Sequence, residues 1–111
     1  MFSVGVDIVE LSRFKNMNHP DRVAEFFLTD IELQESKTSA DKIQFLASRF
    51  AVKEAVIKAV PEKLEFNEFA VVKNGNKPQI KFINNKYQKY QIAISLSHSV
   101  TSAIGFALAQ Y

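Results

Sequence analysis

The 111-residue sequence contains no cysteine, which excludes disulfides, a thiolate metal site and a cysteine nucleophile. That composition suits a reducing compartment, and a cytoplasmic location is expected. No apolar run approaches the roughly 20 residues of a membrane-spanning helix. The opening segment Met1 to Val9 is short, lacks a basic flank and carries Asp7, so neither a membrane partner nor an export signal is expected. Histidine is scarce. His19 sits in a polar stretch and His98 is the only other, and with no nucleophile-elbow sequence a serine hydrolase is a poor fit. Neither sign of charge dominates: 14 Lys and Arg oppose 12 Asp and Glu, for a net charge of +2. So small an excess permits an acidic partner or a phosphorylated ligand but does not argue for nucleic acid. Repeats, linkers and low-complexity tracts are also missing.

What remains is the composition of an ordinary folded domain, 47% hydrophobic and 23% charged. Residues 1–111 are expected to form a single domain, whose limited core would gain from subunit association. Residues 2–9 alternate, with Val4, Val6 and Ile8 on one face and Ser3, Gly5, Asp7 and Val9 on the other, which predicts a first strand. Glu10 to Met17 reads as a short helix, and Asp21 opens a second helical stretch through Leu28. Thr29 and Glu32 form a capping-box pattern at the next helix start. The longest helix is expected from about Ala40 to Val60, capped by Thr38 or Ser39 and ended by Pro61. Glu65–Lys73 and Gln79–Ile83 read as a hairpin across the turn at Asn74–Pro78, followed by the polar connection Asn84–Lys89. Gln91–Ser97 and Ser102–Ala109 are the last strands. One strand, several helices and four strands make an α+β domain, a mostly antiparallel sheet against a long helix.

Some residues fit poorly into a folding account. On the long helix Ile43, Leu46, Ala47, Phe50 and Ile57 share one stripe, and Glu54 falls inside it. A carboxylate facing a core needs a cation, a metal or several donors to stay ionised. The plainer alternative is a salt bridge to Lys58, one turn on. Asp7 poses the same question on a strand, where aspartate is depleted; Gly5 beside it leaves space, and a simple helix cap is the alternative. Together Asp7 and Glu54 offer two hard oxygen ligands, the number of protein carboxylates that Mg²⁺ typically takes. Arg49, Lys53 and Lys58 surround Glu54, as a polyphosphate site requires, although a solvated basic face would look the same. Ser95, Ser97, His98 and Ser99 cluster at a strand end, suited to phosphate oxygens or to a plain turn.

These segments resemble the holo-acyl-carrier-protein synthases, small bacterial 4′-phosphopantetheinyl transferases, over nearly the whole chain. Gly5-Val6-Asp7-Ile8-Val9-Glu10 with Arg13 is similar to the opening strand motif, and Phe27-Leu28-Thr29 with Glu32 to the second. Phe50-Ala51-Val52-Lys53-Glu54-Ala55-Val56-Ile57-Lys58-Ala59 resembles the signature helix and is the most specific segment. Asn76-Lys77-Pro78 resembles the proline turn and Ser95-Leu96-Ser97-His98 the serine–histidine strand end. The resemblance implies that Asp7 and Glu54 hold Mg²⁺ and that Asp7, Glu54 and Lys58 are catalytic. It further implies that Arg49, Lys58 and His98 bind the phosphates of coenzyme A, with Pro78 lining the cleft. Arg13 and Arg22 would face an acidic helix of the acyl carrier protein. A homotrimer with its sites at subunit interfaces is implied as well. One departure stands out: after the signature helix the family often carries a glycine-containing loop, where this chain runs Val60-Pro61-Glu62-Lys63-Leu64.

The implied reaction is attack of a carrier serine hydroxyl on the β-phosphate of coenzyme A, releasing 3′,5′-ADP in support of fatty-acid and lipid synthesis. Lys58 and His98 would balance charge on the leaving phosphate. Either Glu54 or a water at the metal would take the serine proton. Two rivals need fewer of these residues. A non-catalytic phosphate- or nucleotide-binding module needs the cations without the carboxylate pair, and a carrier-protein docking protein needs neither coenzyme A nor metal.

Overall fold

The alternation at the start of the chain forms strand β1 (Phe2–Glu10) in the computed structural model, which describes residues 1–111. Three short helices follow, α1 (Leu11–Lys15), α2 (Pro20–Phe27) and α3 (Asp30–Lys37), then the long α4 (Lys42–Ala59). Two hairpins complete the chain: β2 (Phe69–Asn74) with β3 (Lys77–Phe82), and β4 (Gln91–His98) with β5 (Ser102–Gln110). The expected α+β class is the one found. β1, β5 and β4 form a three-stranded antiparallel sheet in that spatial order, and β2–β3 stands as a separate two-stranded sheet.

α4 lies across the inner face of the larger sheet, and small residues let it lie close. β5 presents Ala103, Gly105, Ala107 and Ala109, all buried, against Ala51, Ala55 and Ala59 of the helix. A Cβ on Gly105 would collide with the backbone of Ala51 and Val52, and one on Gly5 with the Ala55 carbonyl. The space expected beside Gly5 is therefore filled by the helix backbone itself. Glycine is required there to let two backbones approach.

Several boundaries differ from the sequence reading for local reasons. α4 starts two residues later than expected because Asp41, not Thr38 or Ser39, is the cap: its Oδ1 accepts from the Gln44 amide at 3.1 Å. Glu65–Glu68 does not join the strand, since the Glu68 carboxylate accepts from the Glu65 amide at 2.9 Å and winds Phe66–Glu68 into a 3-10 turn. The stretch read as a polar connection contains a second such turn, Asn85–Tyr87, which buries Tyr87 in the core. Its hydroxyl donates to the Lys63 carbonyl at 2.9 Å, so the tyrosine is buried without an unpaired polar group.

Two apolar clusters flank α4. Phe14, Phe27, Phe50 and Phe66 meet largely edge to face on one side, with Phe27 and Phe50 centroids 5.0 Å apart. Phe69, Phe82, Tyr87 and Tyr90 close the other. The helix is thus covered on both apolar sides by its own chain. The uncovered apolar surface lies instead on the outer face of the three-stranded sheet. There Val4, Val6 and Ile8 are 59%, 57% and 61% exposed, beside Ile104 and Phe106.

Candidate active site

Asp7 lies on the helix-facing side of β1, two residues beyond Gly5. The close approach of α4 there brings Lys58 onto it: Nζ donates to Asp7 Oδ1 at 3.1 Å and to the Val6 carbonyl at 3.0 Å. Lys58 is therefore paired with Asp7 and not with Glu54, which has no cation within ion-pair distance. Glu54 is partly buried beside the same aspartate. Burial first, and then the negative charge of Asp7, push its carboxyl above the usual range, against the opposing pull of Lys58 and Arg13. A carboxylate whose proton affinity is raised by burial and by a neighbouring carboxylate is one that a bound cation would relieve. No group of three or more metal-ligating side chains exists. The pair fits Mg²⁺, which takes one or two carboxylates and fills its other positions with water and phosphate oxygens.

A second constellation sits at the opposite edge of the sheet. Arg49 and His98 line a cleft of about 350 Å³ together with Glu35, Gln44 and Lys73. Arg49 is only 7% exposed; its Nη2 donates to Glu35 Oε1 at 3.1 Å, and its guanidinium lies 4.7 Å from the Phe45 ring centroid. The Gln44 side-chain amide hydrogen-bonds His98 at Nδ1. Pro78, in β3 opposite Lys73, lines an adjoining hollow with Ser95 and Leu96, and Leu96 also borders the Arg49 cleft.

The carboxylate pair and the Arg49 cleft do not meet within one chain. Asp7 pairs with Gly105, and Gly105 with Leu96, so β5 separates β1 from β4. Two strand spacings and a two-residue offset put the Asp7 and His98 backbones on the order of 12 Å apart. Of the expected carrier-facing arginines, Arg13 belongs to the carboxylate side, its guanidinium 5.0 Å from the Phe50 centroid. Arg22 is exposed on α2. The serines do not group with the imidazole, because strand alternation turns Ser95 and Ser97 to the outer face beside Phe106 and Ile104. Ser99 accepts the amides of Thr101 and Ser102 at 3.2 and 3.1 Å, an ordinary turn.

Comparison with known proteins decides the lineage. The profile of the 4′-phosphopantetheinyl transferase superfamily matches residues 3–109. The chain belongs to this superfamily. It is 37% identical over 108 residues to the holo-[acyl-carrier-protein] synthase of Mycoplasma mycoides, spanning 97% of this chain and 94% of the relative. With the Buchnera aphidicola synthase it shares 38% over 96 residues, or 80% and 76% of the two chains. Among solved structures, the Neisseria meningitidis synthase superposes with a TM-score of 0.87 at 26% identity, covering 98% of each chain. The Bacillus anthracis synthase in complex with coenzyme A (3′,5′-ADP) gives 0.83 at 29% identity, over 96% of this chain and 94% of the other.

As a phosphopantetheinyl transferase superfamily member, the chain also carries polar residues that the sequence reading placed differently or left out. Lys53, expected among the phosphate-side cations, is fully buried and bound elsewhere. Its Nζ donates to Glu32 Oε1 at 2.8 Å and to the Phe69 carbonyl at 2.9 Å. Glu32 in turn accepts from the Thr29 amide at 2.9 Å, the expected capping contact, and from the Val71 amide at 3.1 Å. Burial lowers the Lys53 pKa, and the Glu32 charge opposes that shift. The wheel position of Lys53, rotated away from Glu54, was a signal that it points elsewhere. Glu35, Gln44 and Lys73 gave no such signal, because each is an unremarkable polar residue until the fold places it around Arg49.

Proposed function

We propose that this chain is a holo-acyl-carrier-protein synthase, moving 4′-phosphopantetheine from coenzyme A to a serine of the apo carrier protein. The observation that carries the reading is the Asp7–Glu54 carboxylate pair with Lys58 upon it, on the signature helix of a chain that aligns end to end with synthases. In the reaction the serine oxygen forms a bond to the β-phosphorus while the pyrophosphate bridge breaks, leaving 3′,5′-ADP; the serine proton passes to water or a carboxylate. Asp7 and Glu54 would hold Mg²⁺, which when bound offsets the charge of the pyrophosphate. Lys58 is half-exposed and offers a mobile cation to the same oxygens. Arg49 and His98 suit a further phosphate of coenzyme A, and Pro78 borders that side. Arg13 and Arg22 offer cations to an acidic carrier surface.

A homotrimer accounts for the two separated constellations. A second copy seated against the apolar outer face of the sheet would bring its own Arg49 cleft to the carboxylate pair. The exposed Val4, Val6, Ile8 and Phe106 are the kind of surface such contacts cover. No helix is long and apolar enough to cross a membrane, and we assign the enzyme to the cytoplasm. The direct test is mass spectrometry of an apo carrier protein incubated with this chain and coenzyme A, with and without Mg²⁺. A phosphopantetheine adduct that forms only with Mg²⁺ is expected. Coenzyme A binding with no adduct would reduce the protein to a binding module.

A further inference from the structure

Arg49 stands at the Arg49–His98 cleft with its charge already met, since Nη2 donates to Glu35 Oε1 at 3.1 Å. The same oxygen lies 3.9 Å from Lys73 Nζ, so one carboxylate serves two cations. The three side chains differ in freedom. Arg49 is buried and held against Phe45, whereas the Glu35 side chain is 30% exposed in the last turn of α3 and that of Lys73 is 64% exposed near the end of β2. The other carboxylate of the cleft, Asp41, is committed to the start of α4 through the Gln44 amide. Glu35 is thus the anion that an incoming phosphate meets at Arg49.

We propose that Glu35 is a resident counter-anion that coenzyme A displaces from Arg49 and Lys73, so that this residue sets the affinity of the cleft. The proposal rests on the reading of the cleft as a coenzyme A phosphate site. Without ligand, Glu35 compensates a guanidinium that would otherwise be buried unpaired. A phosphate monoester brings more charge and more acceptor oxygens than a carboxylate, so it takes the same donors. Its two like charges then push the more mobile Glu35 outward. Each binding event exchanges one ion pair for another, which holds affinity down and eases release of 3′,5′-ADP.

Calorimetric titration of the assembled, Mg²⁺-supplemented protein with 3′,5′-ADP tests this. Glu35→Gln keeps shape and removes charge, and should tighten binding about two- to fivefold, the range of a partly exposed ion pair. Lys73→Met should weaken it by roughly two- to fivefold on the same scale. Arg49→Ala, the control for the site itself, should weaken it at least about tenfold. If Arg49→Ala binds as the parent does, the cleft is not the phosphate site and the proposal falls with it. If Arg49→Ala loses binding while Glu35→Gln is unchanged or weaker, Glu35 positions Arg49 and the counter-anion role is overturned. Should Glu35→Gln not fold, Glu35→Asp, one methylene shorter, must show a smaller tightening in the same direction.

Discussion

Asp7 and Glu54 lie near one another beside the close contact of Gly5 with the helix, and the one lysine there, Lys58, pairs with Asp7. Asp7→Ala and Glu54→Ala should each lower Mg²⁺-dependent transfer by at least about a hundredfold while leaving circular dichroism unchanged. Substantial residual activity in either folded variant would remove it from the metal site. Glu54 also has a cost to the fold that can be read from its sign. Its carboxyl titrates above the usual range when folded, so the native state holds the proton more tightly than the unfolded chain. The stability tied to that proton is complete below the ordinary carboxylate range and is lost as pH rises through the raised folded value. Glu54→Gln should therefore melt at a higher temperature than the parent at about pH 7 in chelator, with the gain gone near pH 4. A lower melting temperature for the variant at neutral pH would show that Glu54 is better compensated than its surroundings indicate. At this scale the candidate site was legible where a charge broke an apolar pattern, as Asp7 and Glu54 do. The partner of Lys53 was not, because Glu32 lies 21 residues earlier and a helical wheel shows only that Lys53 turns away from Glu54, not what it meets on another element.

Helix α4 owes its position to two devices, glycines on the sheet side and the Lys53–Glu32 pair on the other. The pair joins α3, α4 and β2 through contacts to Thr29, Phe69 and Val71. Removing one partner strands a buried charge, so Lys53→Ala or Glu32→Ala should cost about 3–5 kcal/mol in urea unfolding. A loss near zero would mean that water reaches the site. Gly5→Ala drives a methyl group into the Ala55 carbonyl and must move β1 or the helix. It should cost about 1–3 kcal/mol and lower kcat more than stability alone explains, because Glu54 moves relative to Asp7. Element types and order were legible from periodicity and punctuation, and the alternation of β1 carried over residue for residue. The misses at Asp41, Glu68 and Tyr87 share one cause. Each depends on a side chain choosing a particular backbone partner, and several candidates stood within reach of each end.

Across the whole molecule, the outer face of the three-stranded sheet is apolar and uncovered, and the carboxylate pair and the Arg49 cleft lie at opposite edges of that sheet. Val4→Asp with Phe106→Asp should give a folded monomer that has lost activity, seen by light scattering alongside transfer assays. A fully active monomer would remove the need for a second copy. The separation of the halves has a genetic consequence. A chain lacking Asp7 still owns an intact Arg49 cleft, and a chain lacking Arg49 still owns an intact carboxylate pair. Refolded together from an equal mixture, two such dead proteins should complement one another. If each ring interface takes one half from either neighbour at random, about a quarter of the interfaces join two undamaged halves. Two alleles, each encoding an inactive chain, would then restore part of the activity together.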